Sequence, residues 1–285
     1  MIEKLSKRTS NDIWILWIDE ANRDLTSLNS YRFNWTLSFR QDSEISIGTY
    51  GLFIRNQPIH SSNQSDFFFR SDFQRLLSRK TIRPLNWNLE KRILNNYRFR
   101  MKHALWFVSN CEPKRRLDFY HQLKEYFPVR AFGSCVQSER ISCNKNHPCE
   151  KENSYLALFY LAFESQTCTD YITEKFWRSL AYGMIPVVLG PKKSSYLDLG
   201  IPQSAFIHVD DYSSVKHLAE YLHRVANDYF LYRTFFNWLN HYENFYQMND
   251  LEPIRMCELC MRLNLQDFRE HRFYVDIHQW HRTQC

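Results

Sequence analysis

The chain has 285 residues, a net charge of +6, 44% hydrophobic residues and only six glycines. This length gives room for one large domain or two modest ones, each with a real core, and the composition excludes a disordered or fibrous protein. Basic residues are mixed with acidic ones along the chain, which disfavours nucleic-acid binding and is compatible with a basic groove for a phosphorylated ligand.

The first hundred residues contain few predicted elements. Short apolar, β-rich runs predict buried strands at residues 13–18 and 33–39, and residues 70–80 have the spacing of a helix. No apolar run approaches the ~20 residues of a membrane span. The run at 13–18 is also too short for a signal peptide, so a targeting segment would have to lie outside this sequence.

Strands and helices alternate along the second half of the chain. Apolar runs predict strands at 103–110, 129–133, 156–163, 185–190 and 204–209, and amphipathic segments predict helices at 115–127, 170–183 and 213–226. Gly183 suits the end of the second helix, because glycine readily adopts the left-handed conformation found there. The alternation implies a parallel sheet with both faces covered, so we expect a doubly wound, Rossmann-like domain over about 103–226.

A polar segment follows the apolar strand that ends at Phe163. Ligands of open α/β sheets bind at the carboxyl ends of the strands, and the amide groups at a helix N-terminus attract phosphate. We therefore expect a ligand site at residues 164–169 and at the helix start over 170–173. No G-x-G-x-x-G motif follows a strand and no G-x-x-x-x-G-K-[ST] motif occurs, which disfavours dinucleotide oxidoreductases and P-loop hydrolases.

A nucleotide at this site would have to be bound by side chains. Lys175 can meet a phosphate, Glu174 can accept from ribose hydroxyls, and Tyr171 can pack or donate. The alternative is an ordinary first helical turn with a solvated charge pair, which is the default for exposed charges. Residue types alone favour that alternative.

The cysteine content points to a compartment rather than to a reaction. The eight cysteines are Cys111, Cys135, Cys143, Cys149, Cys168, Cys257, Cys260 and Cys285, and two N-x-S/T sequons begin at Asn34 and Asn63. Together they favour an oxidising, secretory compartment with disulfides, whose connectivity the sequence leaves open.

A zinc site is the competing interpretation of these cysteines. Cys143, His147 and Cys149 could supply ligands together with the pair at Cys257 and Cys260. The secretory context favours disulfides over zinc.

The segment "FYLAFESQTCTDYITEKFWRSLAYGMIPVVLGP" resembles the signature of the α1,3-fucosyltransferases, glycosyltransferase family ten. Four more segments resemble the family: "FNWTLSFRQDSEI", "WFVSNCEPKRRLDFYHQLKEYFPVRAFGSC", "AFIHVDDYSSVKHLAEYLHRV" and "MCELCMRL". The resemblance covers about residues 13–265. The pattern at the first five cysteines is closest to invertebrate and plant members that fucosylate the N-glycan core.

The resemblance implies an α/β fold of the GT-B type, with two Rossmann-like domains facing a cleft. The expected domains are a partial acceptor-side domain at 1–98, a GDP-fucose-binding domain at 99–250, and a C-terminal helix and tail at 251–285. The N-terminal domain is expected to be incomplete. Membrane association and Golgi targeting are expected to depend on a segment missing from this sequence, with the catalytic domain in the Golgi lumen.

The resemblance also implies an activity, the inverting transfer of L-fucose from GDP-β-L-fucose to O3 of GlcNAc on N-glycans or glycoproteins. The family's donor contacts map onto Arg116, Tyr171, Glu174 and Lys175, of which the two cations would neutralise the diphosphate. Its catalytic base, which takes the acceptor proton, maps onto Glu20. If the strand continues through these residues, Asp19 is expected to point to its other side.

Ser165 is the clearest departure within the signature. It stands where the family has an asparagine that lines the donor site, which puts one donor hydrogen bond in question. No Asp-x-Asp metal motif occurs, so no bound metal is expected, and Mn²⁺ is expected to stimulate without binding tightly. The expected partners are GDP-fucose and a GlcNAc-containing glycan, with no nucleic acid. The alternatives are a protein O-fucosyltransferase-like enzyme of the endoplasmic reticulum and an inactive GDP-fucose-binding homologue.

Overall fold

A computed structural model describes most of the chain. The described residues are 9, 12–55, 93, 96–136, 143, 148–246, 248–264, 273–283 and 285. The helix predicted at 70–80, the sequon at Asn63 and the candidate zinc ligand His147 lie outside these residues.

The strands of the described residues are β1 (Ile15–Ile18), β2 (Trp35–Ser38), β3 (Leu52–Arg55), β4 (Met101–Phe107), β5 (Val129–Phe132), β6 (Ala157–Phe163), β7 (Ile185–Leu189), β8 (Ile207–His208) and β9 (Tyr242–Phe245). The α-helices are α1 (Lys114–Leu123), α2 (Pro148–Leu156), α3 (Glu174–Ala181), α4 (Lys193–Asp198), α5 (Val215–Asn227), α6 (Tyr229–Thr234), α7 (Met248–Asn264) and α8 (Ile277–Arg282). Short 3₁₀ helices lie at Thr26–Tyr31, Tyr97–Phe99, Gln203–Ala205, Val209–Asp211 and Asn237–Asn240.

A five-stranded parallel sheet forms the main core, with the strand order β5-β4-β6-β7-β8. Every residue of β6 and of β7 is buried, which explains why both strands are continuous apolar runs rather than alternating ones. The alternation of strands and helices predicted for this region is confirmed. The side chain of Ser214 accepts a hydrogen bond from the amide of His217 and so caps the N-terminus of α5.

The strand order places a topological switch point between β4 and β6. From β4 the chain moves outward to β5 and then returns to the other side of β4 to form β6. Loops that leave adjacent strands in opposite directions open a crevice at the carboxyl edge of the sheet. The crevice therefore lies between the loop after β4 and the loop after β6.

Two smaller strand pairs connect the early residues to later ones. β1 and β2 are parallel, whereas β3 is antiparallel to β9, almost two hundred residues later in the chain. Gly51, just before β3, fits closely against α3, because a Cβ atom there would lie 1.9 Å from the ring of Trp177. Sequence reasoning predicted neither β3 nor β9.

Two C-terminal elements cover opposite faces of the β1–β2 pair. From α7, Met256, Leu259 and Leu263 pack against the cluster of Trp35, Leu37 and Ile45. On the other face, Ile277 of α8 is buried with Leu16, Leu25 and Phe33. The first fifty residues are thus packed together with the end of the chain.

None of the helices in the described ranges combines the length and the apolar character needed to cross a membrane.

The sequon at Asn34 lies in the interior. The Asn34 side chain is only 7% exposed, and its Oδ1 accepts a hydrogen bond from the amide of Trp14 at 3.0 Å. An N-linked glycan needs an accessible asparagine amide, so this sequon gives no support for a secretory location.

We expect folded protein produced in secretory cells to carry no glycan on Asn34. Mass spectrometry of the tryptic peptide that contains Asn34, before and after enzymatic deglycosylation, tests this. A glycan on that peptide in active protein would contradict the burial of the side chain.

Candidate active site

One side of the crevice is formed by the loop after β4, which is fastened to the loop after β5. In the loop after β5, Gly133 has φ +118°, and a Cβ atom there would lie 1.9 Å from the Val108 carbonyl oxygen, so only glycine allows this contact. The Ser134 hydroxyl donates to the Ser109 carbonyl at 2.9 Å. The disulfide Cys111–Cys135 joins the same two loops covalently, so the loop after β4 is held in place.

Arg116, in the first turn of α1, spans the crevice. Its guanidinium donates to the carbonyl oxygen of Phe163 at 3.4 Å and to that of Asn110, which belong to the two sides of the switch point. The residue is 4% exposed, and its Nε has no hydrogen-bond partner among the described residues. Burial lowers the pKa of Arg116, with the charge of Glu164 opposing this. Arginine still keeps its charge, so an unsatisfied cationic donor lines the crevice.

Glu164 organises the loop after β6. Its carboxylate is 1% exposed and accepts from the Thr173 amide at 2.8 Å, from the Thr173 hydroxyl at 2.9 Å and from Lys175 Nζ at 3.0 Å. Burial raises the pKa of Glu164. Burial alone would lower the pKa of Lys175, but the charges of Glu164 and Glu174 outweigh it and leave that pKa raised. Lys175 is thus a fixed ammonium group at the start of α3.

The predicted start of the helix at Asp170 is wrong. Helix α3 begins at Glu174, with Thr173 in an extended conformation as its N-cap. Asp170 has φ +65°, which an α-helix does not allow, and its carboxylate accepts from the amide of Gln41 at 3.0 Å. Residues 170–173 form a loop because their polar groups bind Glu164 and the turn after β2 instead of extending the helix.

Tyr171 and Glu20 meet across the crevice. The Tyr171 hydroxyl donates to Glu20 Oε2 at 3.0 Å, although the two residues are 151 positions apart. The Tyr171 ring is buried edge-on against Phe39, at 5.1 Å between centroids, whereas Glu20 is exposed. Burial raises the pKa of Tyr171, so its hydroxyl stays protonated and acts as a donor. The loop with the predicted donor contacts therefore lies beside the predicted base.

Asp19 is held separately from Glu20. Both its carboxylate oxygens accept from Arg255 of α7, at 2.9 and 2.8 Å, and one also accepts from the indole of Trp17 at 2.7 Å. Arg255 is 1% exposed, so Asp19 serves as the partner of a buried cation. β1 ends at Ile18, so the separate positions of Asp19 and Glu20 come from their different partners and not from strand alternation.

The two remaining predicted residues, Glu174 and Ser165, are next to Lys175 and Glu164 in the chain. Glu174 is half-buried with its carboxylate 3.5 Å from Lys175 Nζ, and the partly buried Ser165 follows Glu164. The structure thus groups Glu20, Arg116, Ser165, Tyr171, Glu174 and Lys175 around one crevice. Their roles toward a ligand stay predictions.

Sequence reasoning left the cysteine pairing open and gave no structural role to two residues of the site, Glu164 and Thr173. The disulfides among the described residues are Cys111–Cys135, Cys143–Cys149 and Cys168–Cys285. The second uses two of the candidate zinc ligands, and the described residues contain no group of three or more side chains suited to a metal ion. Two features of the sequence could have indicated their roles: Glu164 directly follows an apolar strand, and Thr173 is a hydroxyl residue just before a helix.

Comparison with known proteins gives consistent matches. The model of "Glycosyltransferase family 10 (fucosyltransferase) C-term" matches residues 97–280. The chain is 36% identical over 188 residues to glycoprotein 3-alpha-L-fucosyltransferase A of Drosophila melanogaster, covering 64% of this chain and 35% of that protein. It is 32% identical over 280 residues to alpha-(1,3)-fucosyltransferase 7 of Rattus norvegicus, covering 97% of this chain and 63% of that protein. The chain thus spans less than two thirds of the length of these relatives.

A solved structure shares the fold. A crystal structure of an alpha1,3-fucosyltransferase with GDP-fucose matches 91% of this chain and 77% of its own, with a TM-score of 0.53 and 15% identity. This likeness confirms the predicted α/β fold of the GT-B type.

Proposed function

We propose that this chain, which belongs to glycosyltransferase family 10, transfers L-fucose from GDP-β-L-fucose to O3 of a GlcNAc residue on N-glycans or glycoproteins. The observation that carries the proposal is the hydrogen bond between Tyr171 and Glu20. It places an exposed carboxylate beside the loop that carries the cationic end of the crevice. A base on one side and cations on the other is the arrangement that an inverting transfer needs.

Donor binding is assigned to the two cations of the crevice. Arg116 offers a buried Nε–H that no described residue accepts from, and Lys175 holds its charge through Glu164. Both suit a diphosphate, whose negative charge grows as the bond to fucose breaks. Ser165, in the loop after β6, and Glu174, the first residue of α3, are assigned to hydroxyl groups of the donor.

The base is assigned to Glu20. Because Tyr171 donates to Oε2, the second carboxylate oxygen is left to accept a proton. In the proposed step, O3 of the acceptor attacks C1 of fucose and gives its proton to Glu20. The bond from C1 to the diphosphate oxygen breaks, and its electron pair leaves with GDP toward Arg116 and Lys175.

The proposal extends to the role of Mn²⁺ and to the cellular location. Because side-chain cations already face the diphosphate, we propose that Mn²⁺ stimulates the reaction without binding tightly. The disulfides are typical of proteins in an oxidising compartment and support a location in the Golgi lumen.

The test is incubation of the chain with GDP-fucose and two acceptors, an N-glycan core and N-acetyllactosamine. We expect an α1,3-linked fucose on at least one of them, identified by mass spectrometry and NMR, with release of GDP. GDP-mannose in place of GDP-fucose is the control for donor identity. Bound GDP without product would favour the inactive homologue, and fucose on a peptide hydroxyl would favour the O-fucosyltransferase alternative.

A further inference from the structure

The C-terminal segment, residues 273–283 and 285, holds the loop that carries Glu20. The amide of Leu25 donates to His278 Nδ1 at 3.0 Å, and the amide of Arg23 donates to His281 Nε2 at 3.4 Å. His281 is fully buried, and the nearby main chain of Glu20 acts to raise the pKa of its imidazole. Burial and the charge of Arg40 lower that pKa to about 4, so the imidazole is neutral and able to accept.

The end of the same segment is bonded to the loop that carries Tyr171. Cys285 forms a disulfide with Cys168, 117 positions earlier. Cys168 is 1% exposed in one cluster with Phe39 and Tyr171, and its carbonyl accepts from the Tyr171 amide at 3.2 Å. A displacement of Cys168 would therefore displace Tyr171.

Arg40 anchors the middle of the segment. The residue is 2% exposed, and its guanidinium donates to the Trp280 carbonyl and stacks on the Trp280 ring at 4.3 Å. Its Nε also donates to Asp42 at 2.8 Å, which fixes the direction of the side chain. Arg40 thus holds the C-terminal segment to the turn after β2. The attachment lies between His278, which binds the Glu20 loop, and the disulfide at Cys285.

We propose that the C-terminal segment is a positioning element that aligns Glu20 with Tyr171, and that the Cys168–Cys285 disulfide fixes this alignment. The inference rests on the proposed function, in which Glu20 is the base. The Glu20–Tyr171 hydrogen bond joins loops from distant parts of the chain, and the segment contacts both. Arg116 and Lys175 have their own partners, Phe163 and Glu164, so opening the disulfide leaves the donor cations in place.

The test compares two double variants, Cys168→Ser/Cys285→Ser and the control Cys143→Ser/Cys149→Ser. The control removes a disulfide whose cysteines are six positions apart and lie in neither loop. We expect the first variant to lose transfer rate by roughly 100-fold at saturating GDP-fucose, because a misplacement of about 1 Å has that effect. GDP affinity is expected to fall much less, because Arg116 and Lys175 keep their partners and Tyr171 is the predicted donor contact that moves. Amide hydrogen exchange is expected to become faster at residues 19–25 and 168–173, and the control is expected to show neither change.

Mild reduction of the folded wild-type chain gives a second measurement if the variant folds poorly. The opened disulfide is identified by alkylation and mass spectrometry, and reoxidation is expected to restore the transfer rate. Unchanged exchange at both loops after opening of Cys168–Cys285, or an equal loss of rate in the control, would overturn the inference. An oxidised chain that transfers no fucose while the exchange response is present would refute the proposed function but support the positioning role.

Discussion

Glu20→Gln is expected to lower the rate of fucose transfer by roughly 10²- to 10⁴-fold, the usual contribution of a general base. Glutamine keeps the size of the side chain and can still accept from the Tyr171 hydroxyl, so the crevice should keep its shape. The affinity for GDP is expected to stay unchanged, because the diphosphate is assigned to Arg116 and Lys175. Transfer rates at saturating donor and calorimetric titration with GDP measure the two quantities.

Asp19→Asn is the matched comparison, the same chemical change one residue earlier. Asp19 is the partner of the buried Arg255, so this variant is expected to lower thermal stability. A Glu20→Gln enzyme with near wild-type transfer, or one whose thermal midpoint falls like that of Asp19→Asn, would contradict the assignment of the base.

Lys175→Met is expected to weaken GDP binding and to destabilise the fold by about 3 kcal/mol, since breaking a buried ion pair leaves the other charge uncompensated. The uncompensated group is Glu164, with 1% exposure of its side chain. Burial raises its pKa above the ordinary 4.5, and the variant removes the Lys175 charge that counters this. A raised carboxyl pKa in the folded state favours folding at acid pH, and this stability is lost as the pH rises. The penalty is therefore expected to be small at acid pH and to grow toward neutral pH.

The double variant Glu164→Gln/Lys175→Met separates the two roles of Lys175. It removes the buried charge, so the free energy of unfolding is expected to recover and to lose its added pH dependence. GDP affinity is expected to stay low, because the cation is still missing. Denaturant unfolding at several pH values and GDP titration give both results. GDP affinity that returns with stability would show that Lys175 acts only on the fold.

The five-stranded sheet was predictable because its strands can be recognised from their local sequence alone. The runs at 156–163 and 185–190 are apolar without interruption, which is typical of strands covered on both faces, and they correspond to β6 and β7. The position of the crevice followed from the same pattern. Loops at the carboxyl edge of a parallel sheet are where ligands bind, whatever residues they contain.

The contacts within the site were not predictable from local patterns. The Tyr171–Glu20 hydrogen bond and the Cys168–Cys285 disulfide join residues 151 and 117 positions apart, and local periodicity carries no information on such distances. The start of α3 was misplaced for a related reason. Asp170 is a good residue for a helix start, but its carboxylate accepts from the amide of Gln41 in the turn after β2 instead.

The packing of α8 has a consequence for the order of events during synthesis. Ile277 completes the cluster formed by Leu16, Leu25 and Phe33, so one face of the β1–β2 pair stays open until α8 has left the ribosome. The core of the five-stranded sheet is complete by Trp238, well before α8, and can form earlier, since domains generally fold as units during translation. The side of the crevice that holds Arg116 and Lys175 is therefore made first, and the side that holds Glu20 is completed only after translation has passed α8. Until then a nascent chain exposes apolar strand surface, the kind of surface that chaperones protect.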